Sequence, residues 1–157
     1  MSEQSKKLAG ILLIILPTVA FGGTSLLSLL INDASGYADK ALRQDLWRAG
    51  HAHVSVLLIL SLVILRYVDE AKLSEKWKAL VRNGTPVSAI LIPAAFFTSI
   101  IDPAAKEPKA LINLAYVGFG MLVITLNLAW SWAGEKMTFK FGRWPRFSAT
   151  RYLTLMP

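Results

Sequence analysis

Four stretches of this sequence run without a charged residue. Leu8–Ile31 spans 24 residues, Ala49–Leu65 spans 17, Asn83–Ile101 spans 19 and Ala110–Gly134 spans 25. A helix that crosses the hydrocarbon core of a bilayer needs about 20 predominantly apolar residues, with about 17–25 tolerated. All four stretches meet that requirement, so the pattern predicts four transmembrane helices, at about 8–31, 46–65, 85–101 and 109–133. A membrane β-barrel would alternate polar and apolar positions over segments of about 10 residues. No such alternation runs through this chain.

The connecting segments have patterns of their own. Between Arg66 and Gly84, the residues Leu73, Trp77, Leu80 and Val81 recur at i, i+4, i+7 and i+8. That spacing predicts an amphipathic helix, lying along the membrane interface or continuing the second helix. Asn83-Gly84 reads as a helix stop, and Thr85-Pro86 as a new start. Pro93 predicts a bend in the third helix. Asp102-Pro103 ends that helix, and Glu107-Pro108 leads into the fourth. Trp47, Trp130 and Trp132 fall near the predicted membrane boundaries, where amphipathic rings serve as anchors.

Composition narrows the class. Hydrophobic residues make up 54% and charged residues 17%, against about 25% charged in ordinary globular chains. A soluble enzyme of this length would need a charged surface that is missing here. There is no cysteine, which excludes disulfides, thiolate metal sites, iron–sulfur clusters and cysteine nucleophiles. Lys6 and Lys7 precede the first stretch as they would in a signal peptide. Its apolar core, however, far exceeds the roughly 7–15 residues of such a segment, so a retained helix is expected.

The net charge is +7, and its distribution sets an orientation. Twelve basic residues lie in the N-terminus, the middle loop and the C-terminal tail, and 5 in the other two loops. The positive-inside rule then places both termini in the cytoplasm. The expected fold class is an all-α, polytopic four-transmembrane-helix bundle over residues 1–134, multi-pass in a bacterial cytoplasmic (inner) membrane. A basic, aromatic cytoplasmic tail follows over 135–157. In that tail Lys140, Arg143 and Arg146 are interleaved with Phe139, Phe141, Trp144 and Phe147. Membrane lipids are the nearest anionic partner for such a tail, ahead of nucleic acid.

Polar side chains in a bilayer are costly and tend to face the bundle. His51, His53 and Ser55 lie in the outer part of the second helix, and Asn113 and Tyr116 at similar depth in the fourth. These five residues form a candidate cofactor pocket in the outer leaflet. On a helix, positions i and i+2 are about 200° apart, so His51 and His53 grip one ion together only if that segment is extended. In the fourth helix, Asn113, Gly120, Asn127 and Gly134 are spaced by sevens and share one stripe. Gly120 and Asn127, with Gly22 in the first helix, are candidate helix-packing residues.

The segment RAGHAHVSV, Arg48–Val56, holds both histidines. It resembles small, uncharacterised four-helix bacterial membrane proteins carrying a GHAH-type motif. It also resembles the histidine helices of membrane proteins related to the haem–copper oxidases. The second likeness is confined to this segment and implies a ligand role for His51 or His53 only. The chain departs from the oxidase pattern, which places many histidines on several helices, so it is not an oxidase by itself. What the resemblance leaves is one haem b with a single histidine ligand, or a bis-histidine haem shared between two subunits.

No phosphate loop, dinucleotide fingerprint, nucleophile elbow or HExxH motif occurs. The expected function is therefore a small membrane protein whose histidine-bearing pocket binds haem or a transition metal for electron transfer or a redox assembly. It is not expected to be catalytic alone. The competing expectations are a cofactor-free accessory subunit, as a homo-oligomer or within a larger membrane complex, and a lipid- or quinone-binding protein.

Overall fold

The structure, a computed structural model, describes residues 1–136, apart from the side chains at 33 and 131–136. Lys140, Arg143 and Arg146 lie outside the described residues. Four long helices account for most of the chain: α1 (Glu3–Ile31), α2 (Ala41–Tyr67), α3 (Glu75–Ser99) and α4 (Asn113–Lys136). Short 3-10 turns at Asp33–Ser35, Val68–Glu70 and Ala110–Ile112 lead out of or into them. All four helices are long and apolar enough to cross a membrane.

The bundle is organised around α3. Over its membrane-length window 56% of residues are buried, against 33% in α2, 17% in α4 and 6% in α1. Helices α2 and α4 pack on α3, and α1 packs on α2. The core joins Leu12 of α1, Leu57, Leu58 and Leu65 of α2, and Ala89 and Ile92 of α3.

One local expectation gives way to packing. The sequence predicts a break at Asn83-Gly84-Thr85-Pro86, yet α3 runs through it without interruption. Gly84 is not in the left-handed conformation that ends helices. It is instead a point of close approach, since a Cβ there would collide with Thr125 Cγ2 of α4. Pro86 removes one intrahelical hydrogen bond, but it is buried, as are Gly84, Thr85 and Ser88 beside it. Burial on both flanks outweighs the local signal, as is usual for protein helices. The apolar stripe from Leu73 to Val81 accordingly leads into and opens α3, with Val81 fully buried.

Each end of the bundle is fastened by an arginine; the end that carries the N-terminus is labelled inner and the opposite end outer, after the orientation expected from the charges. At the outer end, Arg43 of α2 donates through Nε to Ile100 O at 3.2 Å, and through Nη2 to Ile101 O. A cation suits this place, because the carbonyls at a helix C-terminus carry partial negative charge. Arg43 also lies 4.7 Å over the Trp47 ring, and Trp47 Nε1 donates to Phe97 O at 3.3 Å. Trp47 packs between Tyr37 and Phe97 and stays partly exposed. In the α3–α4 loop, the Ala104 amide and the Lys109 ammonium hold the Asp102 carboxyl below the usual aspartate pKa.

The inner end is closed by Arg82, whose side chain is only 5% exposed. Its Nε donates to Ser5 Oγ at 3.0 Å, its Nη1 to Gln4 Oε1 at 2.6 Å and its Nη2 to Asp69 Oδ1 at 2.8 Å. The second oxygen of Asp69 accepts the Ser2 backbone amide at 2.6 Å. Ser2 in turn caps α1 by accepting from Ser5 N at 3.2 Å. One guanidinium thus ties α1, the turn after α2, and α3 together.

Removing one partner of a buried ion pair strands the other, at a cost of about 3–5 kcal/mol. Arg82→Met is expected to destabilise the bundle by an amount of that order, read as a lowered unfolding midpoint in a denaturing-detergent titration. Arg66→Met, at an exposed ion pair with Glu70, is expected to cost less than about 1 kcal/mol. Equal effects from the two substitutions would show that the inner network is not structural.

Candidate functional site

The two histidines lie on opposite sides of α2, as their spacing requires. His51 turns toward α1, where its ring lies over the Gly22–Gly23 step. A Cβ added at Gly23 would come within 2.9 Å of His51 Nε2, so glycine is what lets the ring sit there. Gly22 is part of the same contact, with His51 Nδ1 at 3.8 Å from the corresponding point. His53 turns the other way, into a cleft of α3 and α4. Its ring centroid is 5.3 Å from that of Phe96 and 5.9 Å from that of Phe119.

The remaining members of the expected pocket do not join them. Ser55 donates to His51 O at 2.8 Å, a bond within α2. Asn113 is exposed at the start of α4, and Tyr116 is 74% exposed. Among the described residues, no group of three or more His, Asp or Glu side chains is placed to hold a metal ion. His51, His53, Asn113 and Tyr116 do not share a cavity, because rotation about each helix axis sends them to different faces.

His53 keeps one feature of a ligand. Its Nδ1 lies 2.7 Å from Ala49 O. A carbonyl can only accept, so Nδ1 carries the proton and Nε2 of the neutral ring keeps its lone pair. Ligating histidines commonly have their second nitrogen tied in this way.

The expected packing residues divide. Gly22 is at the α1–α2 contact. Gly120 faces away from the bundle, with nothing within 4 Å of a Cβ built there, and Asn127 is exposed and lines the groove between α2 and α4. The face of α4 that meets α3 carries Ala115, Gly118 and Thr125 instead. A Cβ at Gly118 would stand 2.7 Å from Ile92 Cγ1.

Sequence reasoning missed a wide concavity. Between the inner halves of α2 and α4, with Val81 of α3 also lining it, lies an open groove of about 650 Å³. Leu60, Val63, Ile64 and Tyr67 line it from α2, and Leu126, Asn127, Ala129 and Trp130 from α4. The wall is almost wholly apolar, with the polar atoms of Tyr67, Asn127 and Trp130 the exceptions. The sequence held only a partial signal for it, in aromatic residues at the inner ends of two apolar runs. Arg82 was read from the sequence as one of twelve topogenic charges. Its partner Asp69, of opposite sign across the amphipathic segment, was the available hint of an internal ion pair.

Comparison with protein-family models, curated proteins and solved structures finds no match for this chain.

Because His51 and His53 have no partner in common, their contributions should add. The stability changes of His51→Ala and His53→Ala are expected to sum to that of the double variant within about 0.5 kcal/mol. A larger coupling, in a double-mutant cycle on purified protein, would mean that both rings serve one shared group.

Proposed function

We propose that this chain is a small integral membrane protein that binds a lipophilic ligand, a lipid or a quinone, in the groove between the inner halves of α2 and α4. The groove itself carries the reading. Its volume of about 650 Å³ is within the range of about 300–1,000 Å³ typical of ligand sites. Its apolar wall suits a hydrocarbon or isoprenoid chain, and the Tyr67 hydroxyl and Trp130 indole can orient a polar head. The excess of basic residues near the inner ends of the helices, 12 against 5, supports placement of the groove in the cytoplasmic leaflet of a bacterial inner membrane with both termini inside. The reading gives the chain a binding or accessory role in the membrane, with no catalysis of its own.

The test is to purify the protein in mild detergent, extract it with organic solvent and analyse the extract by mass spectrometry. A lipid or quinone is expected at a fixed ratio to protein. Val63→Trp, which fills the groove, should lower that ratio severalfold, while Ile14→Trp, on an α1 position that is 77% exposed, should leave it unchanged. The chemical identity of the retained molecule separates the lipid from the quinone. Equal retention by both variants would sink the reading.

A second reading rests on His53. The Nδ1–Ala49 bond and the Phe96 and Phe119 rings suit an imidazole that offers Nε2 to a haem b iron or another transition metal. The pair of such ligands would come from two subunits, since His51 faces α1. Absorption spectra of oxidised and dithionite-reduced protein test it: a Soret band that sharpens on reduction and disappears in His53→Ala supports haem, and a featureless visible spectrum rejects it.

A further inference from the structure

We propose that the groove between α2 and α4 takes an isoprenoid quinone or its quinol, with the ring at the inner mouth against Asn127, Tyr67 and Trp130 and the chain running toward Leu60 and Leu126. The proposal rests on the reading of the groove as a ligand site and names the class of molecule that fills it.

Charge narrows the head first. Every residue that lines the groove is uncharged. A phosphate or carboxylate taken out of water needs a cation beside it, and no lysine or arginine is among the lining residues. Arg66, next to Tyr67 in the chain, is already paired with Glu70. The wall is therefore poorly matched to a phospholipid or a fatty acid and well matched to an uncharged head.

Hydrogen bonding narrows it further. Asn127 Nδ2 donates within α4, to Val123 O at 2.8 Å. Its side-chain carbonyl oxygen has no partner among the described residues, and a polar group left to hydrocarbon is costly. That oxygen can accept from a hydroxyl. Trp130, three residues on and on the same wall, carries an indole N–H that can only donate, and the Tyr67 hydroxyl on the α2 wall can do either. The mouth thus accepts from a hydroxyl and donates to a carbonyl, which are the two forms of a quinone oxygen. Its shape agrees with a flat head. Tyr67 is 51% and Trp130 66% exposed, so both rings remain open to an occupant, and aromatic rings pack well on one another in offset or edge arrangements.

Beyond Asn127 the walls are aliphatic. The seven residues from Tyr67 back to Leu60 cover about 10 Å of helix, most of one leaflet in a hydrocarbon core of about 30 Å. The groove is open along this length, so the first isoprene units are sheltered and a longer chain continues into the lipid.

Two measurements test the assignment. The protein is purified in mild detergent, and quinones, phospholipids and diacylglycerol in its extract are quantified against protein. A quinone is expected at a fixed ratio, lowered severalfold in both Val63→Trp and Asn127→Leu. A phospholipid or diacylglycerol that Val63→Trp lowers, in place of a quinone, would leave the groove a lipid site and overturn the quinone. Finding no molecule that Val63→Trp lowers would overturn both. In the second measurement, decylubiquinone is titrated into protein in phosphatidylcholine nanodiscs, and tryptophan fluorescence is followed. Saturable quenching is expected, mostly lost in Trp130→Phe. Asn127→Leu should weaken the apparent affinity about tenfold, the loss of one hydrogen bond, while Asn113→Leu, an exposed asparagine of α4 outside the groove, should leave it unchanged. Quenching that survives Trp130→Phe, or equal affinities for Asn127→Leu and the unmodified chain, would overturn the placement of the head.

Discussion

The inner end of this bundle depends on one buried guanidinium. Water removed from an arginine has to be replaced by hydrogen-bond acceptors, or the charge is not tolerated. Arg82 finds them in Ser5, Gln4 and Asp69, which belong to α1 and to the turn after α2. Helix α1 in particular buries little surface along its length. Its position is set by the His51–glycine contact near the outer side, by the packing of Leu8, Leu12, Leu16 and Val19 on the core, and by this network at the inner end.

The rest of the architecture follows from the central place of α3. Arg43 and Trp47 fix the outer end of α2 to the last carbonyls of α3. Gly84 and Gly118 mark two points of close approach between α3 and α4. Helices α2 and α4 each pack on α3 and have little direct contact with one another. The groove occupies the space this leaves at their inner ends, above Val81. It is a by-product of a bundle arranged as a row around one helix rather than as a closed square.

How much of this could be read from sequence differs by level. The number and approximate placement of the helices were legible, because charge-free length is a one-dimensional property. The opposed directions of His51 and His53 were legible too, since two residues along a helix amount to more than half a turn. The seven-residue spacing of Asn113, Gly120 and Asn127 showed that they share a face but not which way it points. That direction depends on the competing face of Ala115, Gly118 and Thr125, whose small size gave no clear hydrophobic contrast. The continuity of α3 through Asn83-Gly84 and Pro86 was hidden for a related reason. Local preferences there favour a break, and only the neighbours in space, Thr125 above all, reverse them.

The inner network also has a history built into it. Ser5 and Arg82 are 77 positions apart in the chain. A ribosome delivers α1 long before the residue that fastens it, and α2 and the following turn come in between. The contacts of α1 with α2 need only those two helices, whereas the ion pair that fastens its inner end is complete only once α3 has been made.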